Sequence, residues 1–429
     1  MEKLSKRLWA SFLLLGLMGQ FAWTIENMYF NVFLYNTIST DPGYIAAMVA
    51  ASAVVATLTT LFMGSLSDRV GKRKLFICSG YIIWGFSTML FGLISVKNAA
   101  AWFPALNAVS TAAMMVVVMD CVMTFFGSTA NDATFNAYVT DVTNEKIRGK
   151  VESVLAVLPL ISMLIIFGGF DAMTKQGHWS QFFGIFGCLV TLTGLASIFL
   201  IKDSKVEIKN EPFAKNLVAG FRPDIIRENP SLYLTLSAFC LFSIAVQVFF
   251  PYLIIYMQNY LKIDNYAIVL GVVLILASVI SVIGGRFIDR IGKLNFVLPA
   301  AAVMFIGLLG MFFVRGAVFV IVAGTVMMGG YMLVTAALSA SIRDFTPKDR
   351  VGQFQGIRMI FAVMVPMIIG PSIGAAVIRN SGSTYNDLGE VKNVPTPGIF
   401  LASAIALLLI IIPIIFLKRR SKNENKLGK

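Results

Sequence analysis

Long apolar segments alternate with short polar ones over the whole 429-residue chain. A helix needs about 20 mostly apolar residues to cross a bilayer, so each long segment predicts one membrane span. Twelve spans are expected, near residues 8–36, 43–66, 75–96, 112–140, 151–173, 180–201, 231–259, 266–288, 295–314, 317–342, 353–378 and 397–417. The pattern therefore predicts an all-α polytopic membrane protein.

The polar loops between these segments repeat. Gly64-Ser-Leu-Ser-Asp68-Arg69-Val-Gly71-Lys72 follows the second predicted span and matches Gly285-Arg-Phe-Ile-Asp289-Arg290-Ile-Gly292-Lys293 after the eighth. Asp141-Val-Thr143 and Asp344-Phe-Thr346 form a second matching pair. Two six-helix pseudo-repeats are therefore expected, as in alternating-access transporters. The predicted divisions are a first half at 1–201, a cytoplasmic linker at 202–230, a second half at 231–417 and a basic cytoplasmic tail at 418–429.

Composition and charge set the environment and the orientation. Hydrophobic residues make up 57% of the chain and charged residues 13%, with a mean hydropathy of +0.80. Of the 35 Lys and Arg residues, 28 lie on the side of the N-terminus and 6 on the other. Because Lys and Arg accumulate in cytoplasmic loops, both termini are expected in the cytoplasm, with the chain in the cell membrane. The net charge of +13 then reflects topology, so no nucleic-acid partner is expected.

Motifs for enzymatic chemistry are missing from the sequence. Gly64 and Gly71-Lys72 are too far apart for a nucleotide-binding P-loop, and the single histidine, His178, has no metal-like neighbours. No nucleophile–base pair is recognisable either. We therefore expect no enzymatic activity, no cofactor and no metal, and uphill transport would have to draw on an ion gradient.

Ionisable residues within the predicted spans are few. An ionisable residue near the middle of a span costs at least about 2.5–3.5 kcal/mol, so it is a functional candidate by default. The candidates are Glu26, Asp120, Asp132 and Arg358. The three acids are predicted to couple transport to a cation, and structural pairing within the membrane is the alternative.

The motif Gly64-x-x-x-Asp68-Arg69-x-Gly71-Lys72-Arg73-Lys74 resembles the cytoplasmic loop motif of the major facilitator superfamily, at the place where that family has it. The resemblance implies the major facilitator fold, with spans one, four, seven and ten lining the cavity. It also implies gating by the motif loops and the neighbouring span ends. The predicted gating residues are Gly64, Asp68, Arg69, Gly71, Arg73, Asp141, Asp289, Arg290, Asp344 and Arg358. Arg358 is expected to pair with Asp132 or Asp141 when the cytoplasmic side closes.

A finer resemblance rests on Glu26-Asn27 and on Asn131-Asp132-Ala-Thr-Phe-Asn136. These segments are similar to the glycoside–pentoside–hexuronide:cation symporter branch and its sucrose-carrier relatives. Melibiose permeases of that branch carry acidic cation ligands on span two. This chain has no acidic residue between Tyr44 and Ser67, so the coupling cation is left open as proton or sodium.

Polar and aromatic residues recur at helical spacing on the four spans that the resemblance assigns to the cavity. In lipid, such stripes must face protein or water, and helix–helix contacts are the alternative role for the small ones. Amides and carboxylates suit sugar hydroxyls, and aromatic faces suit the apolar face of a sugar ring. The predicted solute-binding residues are Gln20, Trp23, Asn27, Asn31, Thr124, Asn131, Asn136, Gln247, Tyr252, Tyr256, Tyr331 and Thr335.

These features predict a secondary active transporter, with cation-coupled import of a sugar or glycoside by alternating access. Its partners are then a small solute, a coupling cation and the lipid bilayer, and the protein is expected to be a monomer. A drug or metabolite exporter of the same fold is one alternative. A membrane sensor that binds solute without moving it is the other.

Overall fold

The computed structural model describes residues 5–143, 151, 154–201, 222–347, 351–382, 384–387 and 390–427. The chain divides into two compact units. The first unit consists of Met1–Thr40 and Ala47–Phe213, and the second of Asp41–Ala46 and Ala214–Lys429. The predicted linker 202–230 lies outside the described residues over 202–221, so the predicted domain bounds stay a prediction.

Helices build the first unit. Span 1 runs through Lys6–Thr24, a π-helical turn at Ile25–Tyr29 and Phe30–Thr37. Span 2 is Pro42–Val70, of which Pro42–Ala46 belong to the second unit, and span 3 is Arg73–Leu90 with a 3-10 turn at Phe91–Leu93. After the short helix Val96–Trp102, span 4 runs through Ala108–Gly127, a π-helical segment at Ser128–Phe135 and Asn136–Val142. Span 5 is Leu158–Gly169, followed by Asp171–Lys175, and span 6 is Trp179–Leu200.

The second unit begins with the short helix Pro223–Glu228. Span 7 runs through Pro230–Phe249, a 3-10 turn at Phe250–Tyr252, Leu253–Ile255 and a π turn at Tyr256–Tyr260. Spans 8, 9 and 10 are Tyr266–Ile291, Lys293–Phe313 and Ala317–Phe345. Span 11 joins Val351–Met359, a π turn at Ile360–Met364 and Val365–Asn380, and span 12 is Gly398–Leu408 with Ile411–Leu427.

The helical fold class is confirmed. Within the described residues, eleven helices are long and apolar enough to cross a membrane. At the fifth predicted position, 151–173, the described apolar helix Leu158–Gly169 has 12 residues. A small addition that the sequence did not predict is an antiparallel hairpin of strands Thr384–Asp387 and Glu390–Asn393, before span 12.

Glycines allow close helix contacts inside each unit. In the first unit, a Cβ on Gly85 of span 3 would lie 2.4 Å from the Thr191 nitrogen of span 6. In the second unit, a Cβ on Gly307 of span 9 would lie 2.3 Å from the Met327 nitrogen of span 10. Small residues at such crossings let helix backbones approach in a membrane, where apolar side chains gain nothing by leaving lipid.

Candidate functional site

The helices that carry the predicted acids are interrupted by π turns. In a π turn, the backbone hydrogen bonds join residues five apart rather than four apart as in an α-helix. In span 1 the Phe30 N–H donates to the Ile25 carbonyl, and in span 4 the Asn136 N–H donates to the Asn131 carbonyl. Such turns are rare in proteins overall, but those that occur are frequently found at functional sites. They place Glu26 on one irregular segment and Asp132 on another within the first unit.

Glu26 and Asp120 are buried in the first unit, with exposures of 7% and 1%. The Thr124 hydroxyl of span 4 donates to Glu26 Oε1 at 2.9 Å. Asp120 lies one helical turn before Thr124 on the same helix. The second carboxylate oxygen, Glu26 Oε2, and Asp120 Oδ1 are both buried without a hydrogen-bond partner. Each of these two buried carboxyl groups therefore has one oxygen without a hydrogen-bond partner.

Asp132 has a different environment. It is half-buried, and its Oδ2 accepts a hydrogen bond from Ser128 of the same helix at 3.1 Å. Asn136, one turn further, is exposed and donates to the Asp132 carbonyl. This stretch of span 4 is accordingly more open than the stretch around Asp120.

Asn131 is a structural link between helices. It donates to the Tyr81 hydroxyl at 2.7 Å, and that hydroxyl donates to the Leu15 carbonyl of span 1 at 2.7 Å. Gly19 of span 1 leaves room for this pair, because a Cβ there would lie 2.2 Å from Asn131 Nδ2. The chain of bonds joins spans 1, 3 and 4 and fixes the π segment of span 4.

The remaining predicted solute residues of span 1 fall into two groups. Gln20, Trp23 and Asn27 are half-buried, and the Trp23 ring lies 5.0 Å from that of buried Trp84. Asn31 is fully buried and donates to the Asn27 carbonyl at 2.8 Å. The side chains of the first group are therefore the accessible ones.

In the second unit, aromatic residues dominate the predicted site. Tyr252 is fully buried, and its hydroxyl donates to the carbonyls of Pro371 and Pro42 at 2.9 and 3.2 Å. Tyr256 is also fully buried, and its hydroxyl has no partner. Tyr331 is half-buried and stacks on Phe242 at 5.7 Å.

Two further predicted residues of the second unit are half-buried, namely Gln247 and Thr335, and Thr335 donates to the carbonyl of Tyr331 in its own helix. The accessible side chains among the predicted solute residues of the second unit are thus amide, hydroxyl and phenol groups. The described residues of this unit bury no acidic side chain.

The motif loop of the first unit is closed by a buried arginine. Arg73 is 4% exposed and forms ion pairs with Asp68 and with Asp141, the latter at 3.0 Å. It also donates to the Ser67 hydroxyl. The loop turns at Gly71, whose φ of 66° lies in the left-handed region that favours glycine. Gly64 is half-buried and Arg69 is exposed.

The matching loop of the second unit is built differently. Its turn glycine, Gly292, has a φ of 88°. Lys293 pairs with Asp344 at 2.5 Å, with both side chains partly in solvent. Arg290 is exposed, and the side chain of Asp289 lies outside the described residues. Arg358 of span 11 is half-buried, and its pairing with Asp132 or Asp141 stays a prediction.

Several residues of the site were not predicted. Tyr81 and Trp84 lie in apolar runs with no signal beyond their own polarity. Asp171 is 3% exposed, pairs with Lys175 at 3.0 Å and accepts from the Tyr29 hydroxyl. Its spacing of four from Lys175 was the available signal, since oppositely charged residues at that spacing pair on a helix.

Two helical units that share a loop motif, with acidic and amide side chains inside the spans of the first, are typical of an integral membrane protein with a polar interior site. The Major Facilitator Superfamily model matches residues 12–336 and 266–429. The chain therefore belongs to the Major Facilitator Superfamily, and it is a multi-pass membrane transporter of small solutes rather than an enzyme.

Comparison with curated proteins gives a partial match. A region of 187 residues is 25% identical to Multidrug resistance protein 2 of Bacillus subtilis (strain 168). This region covers 43% of the chain and 42% of that protein, so the match spans less than half of the relative.

Solved transporter structures have the same fold. A mutant of the nucleoside transporter NupG aligns with a TM-score of 0.71, covering 95% of this chain and 97% of that one. The xylose transporter XylE from E. coli aligns at 0.64, covering 95% and 98%. A bacterial homologue of the human lysosomal transporter Spinster aligns at 0.68, covering 97% and 96%. All three are 12% identical in sequence, which shows the fold alone.

Proposed function

We propose that the protein couples the entry of a cation to the import of a sugar or glycoside across the cell membrane. The observation that carries this proposal is the pair of buried carboxyl groups in the first unit, Glu26 and Asp120, each with one oxygen lacking a partner. A buried charge is costly unless it is paired or neutralised. A bound cation or proton supplies that neutralisation.

Basic side chains do not fill this role in the described part of the first unit. The buried basic residue there is Arg73, and it is bound to Asp68 and Asp141. An intramembrane acid without a basic partner marks an ion pathway more often than a structural contact. Uphill transport by a chain without a nucleotide motif needs such a pathway.

The solute class follows from the accessible side chains. Span 1 offers Gln20, Trp23 and Asn27, and span 4 offers Asp132, all half-buried. Specific pockets combine apolar and aromatic walls with a few placed polar groups. Amide and carboxylate groups beside an indole suit a polyhydroxylated ring. The similarity of Glu26-Asn27 and Asn131-Asp132 to the glycoside–pentoside–hexuronide symporter branch supports the same class.

Uptake by the purified protein in liposomes tests this proposal. Radiolabelled sugars, glycosides and nucleosides would be offered with an inward gradient of protons or of sodium. We expect one polyhydroxylated class to accumulate and Glu26→Gln to abolish accumulation. Asp224→Asn is the matched control, because Asp224 is an exposed carboxylate on a short helix outside the spans. No accumulation of any offered solute under either gradient would reject import.

Export of cationic drugs is a second candidate, favoured by the partial match to a multidrug resistance protein. The same buried acids would then bind the positive charge of the drug. Inverted vesicles expose the cytoplasmic face, so an exporter should load them with a cationic dye when their interior is acidified. Dye loading that is abolished by Glu26→Gln, without sugar uptake, would favour export. Binding of solute without movement in either direction would indicate a sensor.

A further inference from the structure

Span 12 has two sides with different surroundings. In its last helix, Ile411–Leu427, Ile414 and Leu417 are fully buried where the helix packs on spans 7 and 9 of the second unit. Ile412 and Phe416 of the same helix are exposed. Exposed apolar side chains on a membrane span face lipid, whose tails are as apolar as they are. The helix therefore has a lipid-facing side, which we define by the direction of Ile412.

Basic residues continue this side beyond the apolar part of the helix. Residues 418–429 contain six basic side chains and one acidic side chain. Successive residues of an α-helix are about 100° apart around its axis. Arg419 and Lys426 therefore stand about 20° and 40° from the direction of Ile412, on the lipid-facing side. Arg419 is exposed.

Other charged residues of this helix stand in other directions. By the same geometry, Lys418 and the acid, Glu424, are each about 120° from the lipid-facing direction. Arg420 and Lys422 are each about 80° from it. The ion pairs formed between described residues do not include Arg419. Its charge is therefore available to a partner outside the chain.

The two basic positions lie at the depth of the lipid headgroups. Phe416 is the last exposed apolar residue before the basic segment. Arg419 and Lys426 follow it by about 5 and 15 Å along the helix. The polar region on each side of a bilayer is about 5–8 Å thick. Attraction to headgroup charge reaches about 8–10 Å further, the Debye length at physiological salt. Both positions are therefore within reach of headgroup charge.

The chemistry of these side chains selects the kind of lipid. A guanidinium group binds phosphate oxygens through paired hydrogen bonds, and a lysine ammonium adds a point charge. A zwitterionic headgroup brings a positive group of its own, which a basic surface repels, whereas an anionic headgroup does not. Clusters of basic residues beside a membrane span attract anionic lipids for this reason.

We propose that the Arg419–Lys426 side of the last helix binds the headgroups of anionic phospholipids in the leaflet at the C-terminal end of span 12. Such lipids then surround this end of the span in preference to zwitterionic ones, and the preference falls as salt is added. This binding is independent of the transported solute and of any coupling ion.

Energy transfer to labelled lipids tests this side of the helix directly. The purified full-length protein in nanodiscs would carry a donor dye at Asn423→Cys, an uncharged position about 20° from the lipid-facing direction. Cys121→Ser and Cys188→Ser remove the two cysteines that are not buried. Phosphatidylglycerol and phosphatidylcholine, each with the same acceptor on an acyl chain, would be compared in trace amounts.

Phosphatidylglycerol should be enriched near the dye in the protein with its native basic residues. We expect Arg419→Gln/Lys426→Gln to lower this enrichment at least about five-fold, since each basic residue at a membrane surface contributes about that factor. Lys418→Gln/Arg420→Gln is the matched control, because it removes the same charge from the same helix in other directions. It should change the enrichment less than about two-fold.

Several outcomes would overturn the proposal. Equal losses in the two double variants would show that the helix acts through its net charge rather than through one side. No enrichment with the native residues, or enrichment that survives at about 1 M salt, would exclude recognition of headgroup charge. Displacement of phosphatidylglycerol by inorganic phosphate would identify a site for free anions instead.

Discussion

The two units repeat the same loop motif but place charge differently. In the first unit, Arg73 is 4% exposed and holds two acids, whereas in the second unit the pair Lys293–Asp344 is 35% and 52% exposed. The repeat aligns Lys293 with Lys72, and Leu294 stands at the position of Arg73. The same backbone turn is thus compatible with a buried charge cluster and with an exposed pair.

The interiors of the spans differ in the same sense. The first unit buries the carboxyl groups of Glu26 and Asp120. In the described part of the second unit, the buried polar side chains are serines and threonines, together with the phenols of tyrosines. In the described residues, the acidic side chains buried inside the spans thus lie in the first unit, and the predicted solute residues of the second unit are amide, hydroxyl and aromatic side chains. Pseudo-symmetric folds need not have symmetric chemistry, because function resides in particular side chains.

The largest expected effect is that of Arg73→Leu. This change gives the loop of the first unit the leucine that stands at the same position, Leu294, in the loop of the second unit. Asp68, Asp141 and Ser67 would lose their shared partner. We expect a loss of stability of about 3 kcal/mol, the low end for a broken buried ion pair because both acids are partly in solvent. The thermal unfolding midpoint in detergent is the measurement.

Lys293→Leu is the matched control for that change, because it breaks an exposed pair worth at most about 1 kcal/mol. Equal shifts in the two variants would contradict the difference between the loops.

An intermediate effect is expected for Gly19→Ala in span 1. The added Cβ would lie 2.2 Å from Asn131 Nδ2 and 2.9 Å from the Tyr81 hydroxyl. The hydrogen bond between Asn131 and Tyr81 must therefore shift. Overpacking of this kind costs about 1–3 kcal/mol. Gly168→Ala in span 5 is the control, because nothing lies within 4 Å of its added Cβ. If both variants unfold at the wild-type temperature, the Asn131–Tyr81 link is not a fixed part of the first unit.

The smallest expected effect concerns the phenols of span 7. Tyr252→Phe removes the donor to the Pro371 and Pro42 carbonyls and should cost about 1 kcal/mol, as for a typical buried hydrogen bond. Tyr256→Phe removes a buried hydroxyl without a partner and should be neutral or stabilising. The measurement is the thermal unfolding midpoint of each variant, and we expect the lower midpoint for Tyr252→Phe. A lower midpoint for Tyr256→Phe would instead assign the structural role to Tyr256.

Apolar segment length in the sequence was sufficient for the eleven span-length helices of the described residues. Apolar length predicted the helices, and the repeated loop motif marked the places where Gly71 and Gly292 turn with positive φ. The sequence pattern was not sufficient to predict the contacts of Arg73, because Arg73 is one of several basic residues in its loop. Its burial depends on Asp141, 68 residues away.

The π turns were also beyond prediction, since one extra residue in a turn leaves the apolar composition unchanged. Tyr81 could not be recognised for a related reason, because a tyrosine in an apolar run has no pattern of its own. The burial of Glu26 and Asp120 followed from their position in spans, but the hydrogen bond from Thr124 to Glu26 depended on the packing of span 1 against span 4.

The π turn at Ile25–Tyr29 has a mechanical consequence for the helix that contains it. An extra residue accommodated in one turn can pass to the neighbouring turn by exchanging backbone hydrogen bonds. Each such step rotates the intervening side chain by about 100° around the helix axis. The direction in which a carboxyl group on this turn points can therefore change, while the apolar helix surface on either side of the turn stays in place in the bilayer.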